Sequence, residues 1–165
     1  RETLVNFELA NHFIRNVDRE SLFLILKRYG ANLGENCFIE PGITFHNCKS
    51  YSNLTIGDNC YVGKNCFFDL RDKITIGNNV TISMQCTLLT HQDMGKSNLV
   101  KLYSKIHSPL IIQDNVFAGA GVIFMQGITI NREAIIAAGS VVRNSVRERT
   151  VVGGIPARLL KKIVD

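Results

Sequence analysis

The chain has 165 residues, of which 45% are hydrophobic and 20% charged, enough to bury a core without disulfides or a structural metal and too apolar for a disordered segment. Its first thirty residues hold no apolar run longer than Leu22 to Leu26, against the roughly 20 residues that span a bilayer, so a transmembrane reading is excluded and a cytoplasmic protein is expected. The formal net charge of +5 is concentrated late in the chain, where Arg143, Arg147, Arg149, Arg158, Lys161 and Lys162 are offset only by Glu148. Such an end suits a phosphorylated small ligand, an anionic surface or a nucleic acid, and equally a solvated tail. Residues 1 to 30 read as a helical region. Asp18 is placed to cap a helix over 19 to 29 that Gly30 ends, with Leu22, Leu26 and Tyr29 on one face and Phe23 and Ile25 beside it. That face is expected to cover one end of the fold, with membrane-surface association as the lesser reading. The chain begins at Arg1 without a methionine, which leaves room for an upstream segment.

From residue 31 the chain repeats itself. One phrase recurs as Leu33-Gly-Glu-Asn36, Ile56-Gly-Asp-Asn59, Ile76-Gly-Asn-Asn79 and Ile112-Gln-Asp-Asn115, with Ile130-Asn-Arg-Glu133 as a weaker fifth. Each opens a series in which a large apolar residue returns every six positions: 33, 39, 45; 56, 62, 68; 76, 82, 88; 112, 118, 124; and 130, 136, 142. Fourteen of those fifteen are Leu, Ile, Val or Phe, and the other is Ala118. No α-helix has a six-residue period, so these are short strands joined by corners, three strands to an 18-residue coil. Four residues past the large positions the chain should point inward again, and there stand Cys37, Ile43, Cys60, Cys66, Val80, Cys86, Val116, Val122, Ile128 and Ala134. Four of the five cysteines are thereby explained as small core residues; with no CxxC pair, neither zinc nor a disulfide framework is signalled.

The interruptions carry information too. The step from 76 to 112 is one coil plus 18 residues, which makes 92 to 109 a polar loop thrown off the solenoid, and long loops in compact repeats are usually functional. Pro156 suits the first turn of a closing helix over 157 to 163. The expected organisation is an N-terminal helical region over 1 to 30, a β-helix of about five coils over 31 to 155 with the inserted loop, and a short C-terminal helix over 156 to 165. Among the four histidines, His12, His46 and His107 read as surface residues, whereas His91 stands where the third coil breaks into the loop. An imidazole fixed at a loop root can face a cleft and exchange a proton near neutral pH.

In these repeats the chain resembles the left-handed parallel β-helix of the hexapeptide-repeat acyltransferases, from about residue 31 to 162. The stretches Ser52-Asn-Leu-Thr-Ile-Gly57 through Thr90-His91, Asn115-Val-Phe-Ala-Gly-Ala-Gly121, Ile136-Ala-Ala-Gly-Ser-Val-Val142 and Val152-Gly-Gly-Ile-Pro-Ala-Arg158 resemble its galactoside and maltose O-acetyltransferase branch. The resemblance implies an all-β fold and an acetyl-CoA-dependent O-acetyltransferase. It would act on a sugar hydroxyl, as in capsule or lipopolysaccharide synthesis, by direct attack with His91 as general base. It also implies a homotrimer with active sites between subunits. The family's acid following its histidine in the loop is missing between Gly95 and Gln113, and Asp93 or a backbone carbonyl is the expected substitute for orienting the imidazole. Coenzyme A is expected against Phe117, which replaces the family's tryptophan, against Ala120 and Ala138, and near Arg143, Asn144, Arg158 and Lys161. Asn65, Asp69 and Gln85 are the candidates for contacts to the sugar, with corner-capping the favoured role for Asn65.

The rival readings are N-acetylation of an amino sugar or nucleotide sugar, and a non-catalytic β-helix used for assembly. A zinc enzyme of the γ-carbonic anhydrase kind would need three imidazoles meeting round one ion, a pattern the histidine positions do not supply, so no metal is expected. Nucleic-acid binding would need aromatics interleaved with the basic residues, which are lacking.

Overall fold

The computed structural model describes residues 2–164, with side chains from Asn6 onward, so Arg1 and Asp165 of the terminal segments lie outside the described residues. Two helices, α1 (Glu2–Phe13) and α2 (Arg19–Arg28), precede the solenoid. Asp18 caps α2 as expected, its carboxylate accepting from the Ser21 backbone N–H at 2.9 Å. Leu22 and Leu26 are fully buried, while Leu24 on the opposite side is exposed, the pattern of a helix laid over a core. Aromatic rings finish the seal. Phe7 of α1 packs edge-on against Tyr51, whose ring lies 4.9 Å from that of Phe45, and Phe45 in turn meets Phe68 of the next coil at 5.5 Å.

The solenoid is a left-handed parallel β-helix of five full coils and the start of a sixth. Its first face stacks the strands Asn32–Leu33, Leu54–Ile56, Ile74–Ile76, Leu110–Ile112 and Thr129–Ile130. The second stacks Phe38–Ile39, Tyr61–Val62, Thr81–Ile82, Phe117–Ala118, Ile135–Ile136 and Thr150–Gly154; the third stacks Thr44–His46, Phe67–Asp69, Thr87–Leu88, Ile123–Phe124 and Val141–Val142. All fifteen hexad positions are buried, and the register pairs each with its counterpart one coil away, as in Ile39 with Val62 and Phe45 with Phe68. Cys60, Cys66 and Cys86 are buried in the same interior, and Cys37 is half-buried at its first coil.

The recurrent phrase is a solution to a corner problem. Where the first face turns into the second, the side chain of the phrase's third residue accepts a hydrogen bond from the neighbouring coil's backbone. Asp58 takes the N–H of Glu35 at 2.7 Å, Asn78 that of Asp58 at 2.8 Å, and Asp114 that of Asn78 at 2.7 Å. The residue before must then be glycine, because a Cβ on Gly34, Gly57 or Gly77 would collide with the Asp58, Asn78 or Asp114 oxygen of the next coil. The fourth residue, Asn36, Asn59, Asn79 or Asn115, sits at a positive φ of 54° to 59°, a conformation that asparagine tolerates better than most residues. The fourth coil has Gln113 at the glycine position; there Arg132 stands in the next coil, and the Gln113 Oε1 accepts the Arg132 N–H at 3.1 Å.

The C-terminus corrects one expectation. Residues Ala157–Lys162 form a strand, antiparallel to Thr150–Gly154, in place of the helix expected over 157 to 163. Gly153, Gly154 and Pro156 make a tight reversal instead of a helix start, and the returning strand satisfies backbone groups on an otherwise open edge of the second face. Among the described residues, no helix is long and apolar enough to cross a membrane.

Candidate active site

The inserted loop leaves and rejoins the solenoid through a two-rung antiparallel ribbon, His91–Gln92 against Ile106–His107. Thr90 is the hinge pin of this root. It is fully buried, its carbonyl accepts the Ser108 N–H at 2.9 Å, and its hydroxyl accepts the Asp72 N–H at 3.0 Å. Asp69 ends the third-face strand one coil below and is also fully buried. Its carboxylate collects the Thr90 N–H at 3.0 Å, the Thr90 hydroxyl at 2.9 Å and the Asn47 amide at 2.9 Å. Finally, Asp69 Oδ2 lies 2.5 Å from His91 Nδ1.

A buried carboxylate is expensive unless it is surrounded by donors. Here burial pushes the Asp69 pKa upward, but the hydrogen bonds from His91, Asn47 and Thr90 outweigh it and hold the carboxyl at about 2. An ionised Asp69 can only accept, so it fixes the proton of His91 on Nδ1 and leaves Nε2 with its lone pair free. The imidazole is one-fifth exposed, enough to be reached from solvent. The Asn47 amide nitrogen lies 3.5 Å from both ring nitrogens, so it rests against the ring instead of bonding to either one. The Asn47 Oδ1 accepts from Arg71 at 3.1 Å.

This geometry reassigns two residues. Asp93, expected to orient His91, turns into the loop, where it accepts the Gly95 N–H at 2.9 Å and pairs with Lys105 at 2.8 Å. The Lys105 hydrogen bond holds its carboxyl below the usual range. Asp69, expected to touch the sugar, takes the orienting position. Asn65 and Gln85 do not lie beside His91 within the chain. Both are exposed corner residues at φ 60° and 61°, where the second face turns into the third, at the far end of the third-face strands from His91. Asn65 has a structural task there, its side-chain oxygen filling the space that a Cβ on Gly42 would need.

Sequence reasoning missed Asn47 and Thr90, and coil arithmetic held the signal for the acid. Phe67 and Phe68 pair in register with Thr87 and Leu88, which brings Asp69 level with Leu89, two residues short of His91. A second His–acid pair, His107 Nδ1 to Asp72 Oδ2 at 2.8 Å, ties the returning strand of the ribbon to the coil. That contact is the first cause of a lowered Asp72 pKa.

Of the residues expected at coenzyme A, Arg143, Asn144 and Arg158 come together round a hollow of about 270 Å³ at the C-terminal end of the solenoid, joined by Ser145, Arg147 and Thr150. Lys161 lies further along the strand Ala157–Lys162, opposite Val151 and outside that hollow. Ala120 and Ala138 stack at the corner between the second and third faces, where the Gly139 N–H donates to the Ala120 carbonyl at 2.8 Å. Phe117 projects from the second face, half exposed. Among the described residues, no group of three or more His, Cys, Asp or Glu side chains is arranged to hold a metal ion.

Comparison with known proteins agrees with this architecture. Residues 109–144 match the bacterial transferase hexapeptide model (six repeats), and residues 53–84 match the hexapeptide repeat of succinyl-transferase. A galactoside O-acetyltransferase of Escherichia coli is 35% identical over 89% of this chain and 70% of its own length. Among solved structures, a hexapeptide-repeat acetyltransferase from Vibrio cholerae complexed with acetyl-coenzyme A superposes with a TM-score of 0.85 at 27% identity, over 99% of this chain and 88% of that one. A galactoside acetyltransferase in complex with coenzyme A gives 0.75 at 26% identity, over 99% and 82%. The fold and the loop-root site define a hexapeptide-repeat acyltransferase. Within that class, the chain belongs to the family of the galactoside O-acetyltransferases.

Proposed function

We propose that the chain transfers an acetyl group from acetyl-CoA to the hydroxyl of a sugar, with His91 as general base. The observation that carries this reading is the buried, ionised Asp69 held 2.5 Å from His91 Nδ1, which leaves Nε2 as a proton acceptor at the mouth of the loop. Acetyl-CoA supplies an activated thioester when bound. The arginine-lined hollow suits it: Arg143, Arg147 and Arg158 form no ion pair among the described residues, so their charge is free for phosphates. Phe117 and the small corner residues Ala120 and Ala138 leave room for the pantetheine arm along the solenoid. His91 Nε2 takes the acceptor's hydroxyl proton as that oxygen forms its bond to the acyl carbon. The same nitrogen returns the proton to the sulfur as the C–S bond breaks. Asp69 keeps the ring in one tautomer and faces the positive charge that develops on it. No side chain is acylated, and the cysteines do not compete: three are buried in the core, and burial followed by the Asp69 charge raises the Cys48 thiol to about 11.

The active unit in this reading is a homotrimer. Along the second face stand the exposed apolar side chains of Phe38, Tyr61, Phe117 and Ile135, with Thr81 between Tyr61 and Phe117, a surface that calls for cover. The test of the function is His91→Ala. It should lower transfer by about 10²–10⁴-fold while acetyl-CoA still binds with near wild-type affinity, as read by calorimetry. Wild-type turnover in that variant would remove His91 from the mechanism.

A further inference from the structure

We infer that the acceptor is an anionic sugar, recognised through a carboxylate or phosphate by Arg71 and Lys49; this rests on the acyl-transfer reading of the same site. Beside His91 lies a second hollow of about 460 Å³, lined by Asn47, Cys48, Lys49 and Arg71. Asn47 belongs to both places: its amide touches the His91 ring and Asp69, and its oxygen holds the Arg71 guanidinium at 3.1 Å. A molecule in the hollow is therefore one side chain, Asn47, away from the base.

The charges round this hollow do not cancel. Three carboxylates are near, and each is already taken: Asp69 by His91, Thr90 and Asn47, Asp72 by His107, and Asp93 by Lys105. Arg71 helps hold down the Asp93 carboxyl through space, but the contact of Asp93 is with Lys105. Among the described residues neither Arg71 nor Lys49 forms an ion pair. Cys48 keeps its proton, so the hollow presents two cations, an amide and a neutral thiol. Because Arg71 is steadied by Asn47, its planar fork meets an anion already oriented, which suits two parallel hydrogen bonds to a carboxylate or phosphate.

The test uses the intact protein with acetyl-CoA and three matched acceptors: 4-nitrophenyl β-galactoside, its 6-phosphate, and 4-nitrophenyl β-galacturonide. At least one charged acceptor should exceed the neutral one in kcat/KM by about tenfold or more, and the two charged arms separate phosphate from carboxylate recognition. Arg71→Gln should collapse that ratio at least tenfold, Arg71→Lys should keep only part of it, and raised salt should shrink it. A neutral acceptor used as well as the charged ones, or a ratio that survives Arg71→Gln with Lys49→Gln, overturns the proposal. Calorimetric titration of the galactoside 6-phosphate and the galacturonide without acetyl-CoA separates the two readings. Charged-sugar binding that Arg71→Gln removes, with no transfer to any acceptor, upholds the anion site and sinks the transferase reading. Transfer to the neutral sugar alone does the reverse.

Discussion

Asp69 holds its negative charge out of reach of water and does so with hydrogen bonds to both of its oxygens. Asp69→Asn preserves the shape but cannot hold the imidazole in one tautomer or face a developing imidazolium. We expect kcat to fall about 10²-fold or more while acetyl-CoA binding is unchanged. A purely structural role for Asp69 would lower the folded fraction and leave kcat of the folded enzyme near wild type. The same carboxylate makes stability depend on pH. Its folded pKa of about 2 lies below the ordinary 3.8, so its contribution is present above about pH 4 and is lost as pH falls through 2. The loss is on the order of 2 kcal/mol. Urea midpoints at about pH 5 and pH 2 should therefore converge for wild type and Asp69→Asn at the acid end.

The corner and the loop are the elements on which the site depends. Gly34, Gly57 and Gly77 are each dictated by a side chain of the next coil, so Gly57→Ala would drive a methyl group into Asn78 and the Gly77 backbone. It should destabilise the protein by about 1–3 kcal/mol, measured by urea unfolding, with acetyl-CoA affinity little changed in the folded fraction. Glycine 95 offers a control within the same chain. No atom lies within 4 Å of its virtual Cβ, so any cost of Gly95→Ala comes from its φ of 58° alone. The loop itself is attached through few contacts, Ser108 to Thr90 and His107 to Asp72 among them. His107→Ala should make protease cut the loop faster, with a small effect on global stability, since an exposed side-chain contact contributes little.

At the scale of the whole molecule, the solenoid closes its N-terminal end with α1, α2 and a chain of aromatic rings, and leaves the basic hollow at its other end. That polarity explains the lopsided charge of the chain: Arg143, Arg147 and Arg158 are separate in sequence but line one hollow. Acetyl-CoA affinity should fall steeply with salt and drop about tenfold or more in Arg158→Ala, read by calorimetry. The exposed apolar side chains of Phe38, Tyr61, Phe117 and Ile135 predict association. Sedimentation equilibrium should return three times the chain mass, and a charged substitution such as Tyr61→Glu should lower it.

The coil architecture was legible because a six-residue period can be satisfied in only one way. Each of positions 33 to 142 in the hexad series must face inward, and each does. The Gly-Asp-Asn phrase announced corners, and the 18 extra residues before Leu110 announced the loop, for the same local reason: in a solenoid, distance along the chain translates directly into position in space. His91 was recognisable because the break in the repeat falls beside it. What the period could not supply was anything decided where the chain leaves it. Asp93 is two residues from His91 in sequence, yet the ribbon carries it away toward Lys105, while Asp69, 22 residues earlier, is one coil below and within hydrogen-bond reach. Pro156 read as a helix start, but the open edge of the second face recruited the following residues as a strand. Asn47, Lys49 and Arg71 have no motif in common and become a charged hollow only when the first two coils are stacked. Repeat and core follow from local spacing, whereas partners across coils and unsatisfied edges are settled by packing.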